Sequence, residues 1–207
     1  MRQRWRVGPV CKTGASAEQV RILPFPQIIL IPVKMETNTN SWIEELFLKV
    51  DDHFSKGEFA LGKAVLEEIL ESEPGYGRAH NHLGWLYYAK FDEFEKAEYH
   101  FKLSIKFAAT YPAAYMNLAY LLNYLNKHTE LIEHIDHALK VEGTIKSTLY
   151  NELGKSYEIN GKYKEATASY RSAIKYSLNK EEMNAFNENL ERVKTKLGLF
   201  ERKYFFF

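Results

Sequence analysis

Hydrophobic residues recur along the chain at helical spacing, in short runs separated by polar breaks. Leu83, Gly84 and Tyr87 share one helical face, and Ala97 and Phe101 share the face of the next run. The same order returns later as Leu153, Gly154, Tyr157, Ala166 and Tyr170, and in between as Leu118, Ala119, Leu122, Leu131 and Ile135. Leu83, Leu118 and Leu153 are spaced by 35 residues. An earlier unit is recognisable from its second half, with Gly57, Phe59, Gly62, Leu66, Ile69 and Pro74. A period of this length predicts a stack of repeated supersecondary units rather than a chain folded around one centre.

The small residues explain how each unit is built. Glycine inside a helix costs about 1 kcal/mol relative to alanine, so Gly84 predicts that another helix lies close to that point. Gly84, Ala119 and Gly154 on first helices are expected to meet Gly62, Ala97 and Ala166 on second helices. Larger neighbours would fill the space around this contact line. Local signals mark the ends of these helices. Ser41 with Glu44, Asp92 with Glu95, and Asn179 with Glu182 have capping-box spacing. Pro112 suits a first helical position, and Gly57 and Gly161 suit tight turns between paired helices. Met183, Phe186, Leu190, Val193 and Leu197 then form one face of a terminal helix with polar residues opposite, as a capping helix requires.

With four units in register, residues 42–178 resemble the tetratricopeptide repeat family. That family's pattern is a large residue, Leu, Gly or Ala, and Tyr in a first helix, then Ala, an aromatic, Ala and a closing Pro. The departures are Val50 in place of Gly or Ala, Ser104 in place of the late Ala, and Gly143 or Leu178 in place of the closing Pro. The resemblance implies an all-α fold, a right-handed superhelix of stacked antiparallel helix pairs with a C-terminal capping helix. The expected units are 43–76, 77–111, 112–146 and 147–179, with a cap at 180–198, inside a repeat domain over 41–199.

Composition changes the picture at the N-terminus. The chain as a whole is nearly neutral, at +1, which gives no global field for nucleic acid or an anionic membrane. Yet residues 1–34 carry +5 and the remainder −4, and four of the six prolines lie in that first segment. Residues 1–40 are expected to be a disordered or accessory basic, Pro-rich leader. A secretory signal, an organelle transit peptide and initiation at Met35 are the other readings. Prolines 24, 26 and 32 break any helix across the apolar stretch of the leader. A lone cysteine, Cys11, allows no intramolecular disulfide and no thiolate cluster, which fits a reducing, cytoplasmic setting.

No phosphate-cradling loop, nucleophile elbow or zinc-protease motif is present, and no cofactor is expected. His128, His134 and His137 are close in sequence and could offer metal ligands, but solvated surface histidines are the preferred reading. His80 and His82 are expected to point apart. In the family the first helices line the concave surface, and the resemblance places Asn81, Trp85, Tyr88, Asn117, Tyr120, Tyr124, Asn151 and Lys155 there. These residues are the candidate peptide-binding set: amides to hold a peptide backbone, and aromatics to anchor its side chains. The alternative is that Trp85 and Tyr88 pack between units and the asparagines bond to neighbouring helices. A chaperone-tail clamp is not expected, because Phe47, Asp51 and Ala113 stand where it needs other groups. The function read from the sequence is thus a non-catalytic module for a protein or peptide partner, not an enzyme and not a binder of nucleic acid or membrane. A homo-oligomeric scaffold is the second reading, using the groove or the aromatic tail at 200–207 that ends in Tyr204, Phe205, Phe206 and Phe207.

Overall fold

The computed structural model describes the backbone of residues 41–204 and the side chains of residues 41–198. The leader 1–40 and Phe205 to Phe207, with the expectations attached to them, lie outside these described residues. Within them the fold is all α: α1 (Ser41–Ser55), α2 (Phe59–Ser72), α3 (Gly77–Ala89), α4 (Phe94–Phe107), α5 (Pro112–Tyr124), α6 (His128–Ala138), α7 (Lys146–Ile159), α8 (Tyr163–Tyr176) and α9 (Lys180–Tyr204). Consecutive helices pair as α1–α2, α3–α4, α5–α6 and α7–α8, and α9 packs on α8. The last helix runs past the cap expected to end at residue 198, continuing through Tyr204.

Each pair turns on a left-handed residue: Gly57 (φ 77°), Asp92 (φ 55°), Asn126 (φ 55°) and Gly161 (φ 71°). In three of the turns the next residue's N–H reaches back to a carbonyl five positions earlier: Glu58 to His53, Lys127 to Leu122 and Lys162 to Tyr157, each at 2.9 Å. That bond closes the first helix and aims the second one back along it. Glycine was the expected solution at two turns, whereas Asp92 and Asn126 take the other two, as short polar side chains tolerate this conformation. Asp92 is therefore a turn residue and not a helix cap: α4 begins after Glu93, and no side chain caps it.

The other expected ends divide. Asn179 caps α9, its Oδ1 accepting from the N–H groups of Glu181 (2.8 Å) and Glu182 (3.2 Å), and Pro112 opens α5. Helix α1 begins at Ser41 itself, and the Glu44 carboxylate reaches α3, accepting from Tyr76 Oη and Arg78 Nη1, each at 3.2 Å.

The small residues are all buried, and the three glycines among them each lie against an aromatic ring. A Cβ on Gly84 would lie 2.6 Å from the Phe101 ring, and one on Gly154 would lie 2.7 Å from the Tyr170 ring. Gly62 meets the Phe54 ring in the same manner. Each of these glycines is seated under a ring, which lets the helices approach while the ring fills the interface. At the matching sequence positions of the third unit stand Ala119 and Ile135, both buried.

A main core runs from Ile43 in α1 to Leu149 in α7. A separate, smaller one joins α8 to α9 through Ala166, Tyr170, Leu190 and Val193. Successive first helices are also tied by polar bonds between residues 29 to 38 apart: Arg78 to Glu44, Asn117 to Asn81, Asn123 to Glu152 and Asn189 to Asn151.

Candidate functional site

Because every unit presents its first helix to the same side, α3, α5, α7 and α9 together form one wall. A cleft of about 660 Å³ opens between them, within the range of ordinary ligand pockets. Tyr88 enters from α3, and Tyr120, Asn123 and Tyr124 from α5. Helix α7 supplies Glu152, Lys155 and Glu158, at successive turns, and Ile159 beside the last. Helix α9 adds Arg192 and Lys196, again a turn apart.

The aromatic side is a cluster of interlocked rings. Tyr124 lies 5.7 Å from Tyr88 in an edge-on arrangement and 5.1 Å from Phe94, yet remains 58% exposed. Burial, with the charge of Tyr124 and then Glu152, pushes the Tyr88 phenol up to about 12. Tyr120 is raised too, mainly by burial and then by Glu152 and Glu182. Both phenols are therefore neutral hydrogen-bonding groups at physiological pH. Ile159, 62% exposed, adds aliphatic surface to the cleft from α7.

The charged side has acids beneath and cations above. Glu152 accepts from Asn123 Nδ2 at 2.6 Å and from Lys155 Nζ at 2.5 Å. Glu158 takes a two-point contact from Arg192, through Nε at 2.9 Å and Nη2 at 2.8 Å, with Lys196 Nζ at 2.7 Å and Tyr170 Oη at 2.8 Å. Burial alone would raise the Glu158 carboxyl, but the bonds from Arg192, Lys196 and Tyr170 outweigh it and hold the group down at about 2. Such a carboxylate is ionised at any physiological pH, and it pins α9 to α7.

Of the residues expected on the groove, Tyr88, Tyr120, Tyr124 and Lys155 come together at this cleft. The other four are placed elsewhere. Asn81 and Asn117 are buried, with Asn117 Nδ2 donating to Asn81 Oδ1 at 2.9 Å. Asn151 is buried and accepts from Asn189 Nδ2 at 3.1 Å. Trp85 is 3% exposed, its ring 5.6 Å from Phe54 and 6.3 Å from Phe59. Their positions on first helices were readable; that the chain uses these side chains between units was the alternative reading for Trp85 and the asparagines.

Arg192 and Lys196 were missed because α9 was read only as a cap. A signal was available: Asn189 extends the series Asn81, Asn117, Asn151, and the two cations follow it on adjacent turns.

Of the three histidines close in sequence, His137 is exposed as expected, whereas His128 and His134 are engaged within the fold rather than solvated. His134 Nε2 lies 2.8 Å from the Tyr115 carbonyl, its ring stacked on that tyrosine, and His128 Nδ1 lies 2.8 Å from Ser156 Oγ. His80 and His82 do point apart. His80 Nδ1 meets His100 Nδ1 at 3.1 Å, while His82 Nδ1 donates to the Arg78 carbonyl at 2.8 Å. Among the described residues no three His, Cys, Asp or Glu side chains are grouped to hold a metal ion. Among the described residues, too, no helix is long and apolar enough to cross a membrane.

These elements define a class: an α-solenoid of stacked antiparallel helix pairs, with its first helices forming an inner wall. Residues 147–180 match the family model of the tetratricopeptide repeat. The chain as a whole has the fold of tetratricopeptide-repeat proteins. BtubC (BKLC) from P. vanneervenii shares this fold at 18% identity and a TM-score of 0.65, over 78% of this chain and 75% of that one. PilF from Pseudomonas aeruginosa does so at 15% identity and 0.62, over 78% and 76%. TTC0263, a thermophilic tetratricopeptide-repeat protein of Thermus thermophilus, is similar at 16% identity and 0.56, over 75% and 83%. The search of curated proteins gave no match.

Proposed function

We propose that this chain is a non-catalytic interaction module that holds a segment of a partner protein in the cleft formed by α3, α5, α7 and α9. One observation carries the reading: at a single open site, side chains from four inner helices leave aromatic and aliphatic surface exposed beside charged groups. Tyr124 and Ile159 are the most exposed apolar side chains there. Aromatic side chains lose little rotamer freedom on binding and so give contact area at low entropic cost. The buried bonds beneath them keep the wall preformed, which limits the ordering cost of binding.

The test compares partner capture by the natural chain, a Tyr124→Ala and Ile159→Ser double variant, and a Tyr99→Ala control on the outer helix α4. Proteins that bind saturably to the natural chain and the control, and are lost with the double variant, would support the cleft. Equal capture by all three would remove it.

A further inference from the structure

The cleft sorts its charges by depth. The side chains of Glu152 and Glu158 are each 6% exposed, whereas Lys155, Arg192 and Lys196 are 43%, 49% and 44% exposed. An approaching segment therefore meets cations first, and the compensating acids lie beneath them. This contrasts with residues 35–207 as a whole, which carry −4.

The cations are not equivalent. Arg192 uses Nε and Nη2 on Glu158 and Nη1 on Asn189, at 2.8 Å, so its fork is committed to holding α9 in place. The bond from Lys155 to Glu152 takes one of its ammonium's three donors, as does the bond from Lys196 to Glu158. Each keeps donor directions toward the open side.

Building on the cleft as a protein-binding site, we propose that the segment it takes is acidic, with Asp or Glu side chains interspersed among aromatic or large aliphatic ones. The partner's carboxylates lie against Lys155 and Lys196, and its apolar side chains lie against Tyr124, Tyr88 and Ile159. A basic segment is disfavoured. It would bring cations against the exposed ammonium groups and could reach Glu152 or Glu158 only by displacing bonded partners, leaving charges poorly paired.

Fluorescence anisotropy with labelled short peptides tests this on the full chain. One probe alternates Asp and Glu with Phe and Ser. In the others, Gln or Lys replaces the acids, or Ser replaces the phenylalanines. The acidic aromatic probe is expected to bind about tenfold more tightly than its Gln counterpart, with the gap closing as salt is raised. Ile159→Glu and Ile159→Lys both remove the aliphatic contact and differ in charge alone, so the acidic probe should bind the Lys variant several-fold more tightly than the Glu variant. Lys155→Met and Lys196→Met should each weaken binding of this probe, with thermal melts confirming that every variant folds.

Equal binding of the Gln or Lys probe, or indifference to the sign of charge at residue 159, overturns the proposal. So does equal, charge-dependent binding of a short oligothymidylate, which would make the cleft a general polyanion site. If the Gln probe binds as well as the acidic one and is lost with Tyr124→Ala, the acidic assignment fails while the cleft still holds a peptide. If no probe binds, the acidic assignment fails, and partner capture by the double variant decides on the cleft separately.

Discussion

A methyl group added at Gly84 would sit 2.6 Å from the Phe101 ring, a contact the ring cannot relieve without moving inside a fully buried site. Overpacking of this kind costs about 1–3 kcal/mol, and the gain in helix propensity returns up to about 1 kcal/mol. Gly84→Ala is therefore expected to lower stability by about 1–2 kcal/mol in denaturant unfolding. A neutral or stabilising result would mean that the ring yields freely. The need for a small residue was legible in the repeat, but its partner was not, because the period reports which positions are alike and not which side chain enters the space. The histidines give a second test at this scale. Burial, outweighing the bond to the Arg78 carbonyl, lowers His82 to about 4, and burial followed by the His80 charge lowers His100 to about 4. The unfolded chain, with histidines near 6.5, binds more protons between those values, so stability is full above about pH 6.5 and falls toward pH 4. For fully buried His82 alone the loss approaches about 3 kcal/mol. Thermal melts should fall across this window, and the slope should be shallower in His82→Phe; a flat profile would count against the buried neutral ring.

Among the elements, α9 departs furthest from its expected role. The hydrophobic period of Phe186, Leu190 and Val193 predicted a helix lying on the last repeat, and these residues are buried there. Its polar side is marked in the sequence only by Asn189, since a capping helix and a groove-forming helix share the same apolar stripe. What distinguishes them is the contact of Arg192 and Lys196 with Glu158 on α7, a pairing across 34 and 38 residues that no local pattern encodes. Arg192→Ala should loosen α9 without unfolding α1 to α6. Since the guanidinium is half exposed, solvent screens the pair, and the local cost is set at about 1–2 kcal/mol. Hydrogen exchange along α9 is the measurement. Unchanged protection there would show that the small core of Tyr170, Leu190 and Val193 holds the helix unaided. The expected caps show the same limit of local reading. Asn179 acts as its spacing indicated, whereas Asp92 has the same spacing but is drawn into the turn that returns α4 along α3.

At the scale of the whole molecule, the repeat order was readable because stacked units recur in sequence, but the division of the core was not. The main core ends at α7, and α8 and α9 share a smaller one. In a solenoid, stability is roughly a sum of local units and nearest-neighbour interfaces, so the end with less buried apolar surface should open first. Amides of α8 and α9 are accordingly expected to exchange faster than those of α3 to α6. The cleft lies across this seam: Tyr88, Tyr120 and Tyr124 stand on helices of the main core, and Arg192 and Lys196 on the helix of the smaller one. A segment bound there touches both sides and stabilises only the closed arrangement, by an amount that grows with the logarithm of its concentration over Kd. Titration with the acidic aromatic peptide should therefore slow exchange in α9 markedly while leaving α1 and α2 unchanged. Protection spread evenly over all the helices would mean that binding is read by the solenoid as one body, and the seam would then have no part in recognition.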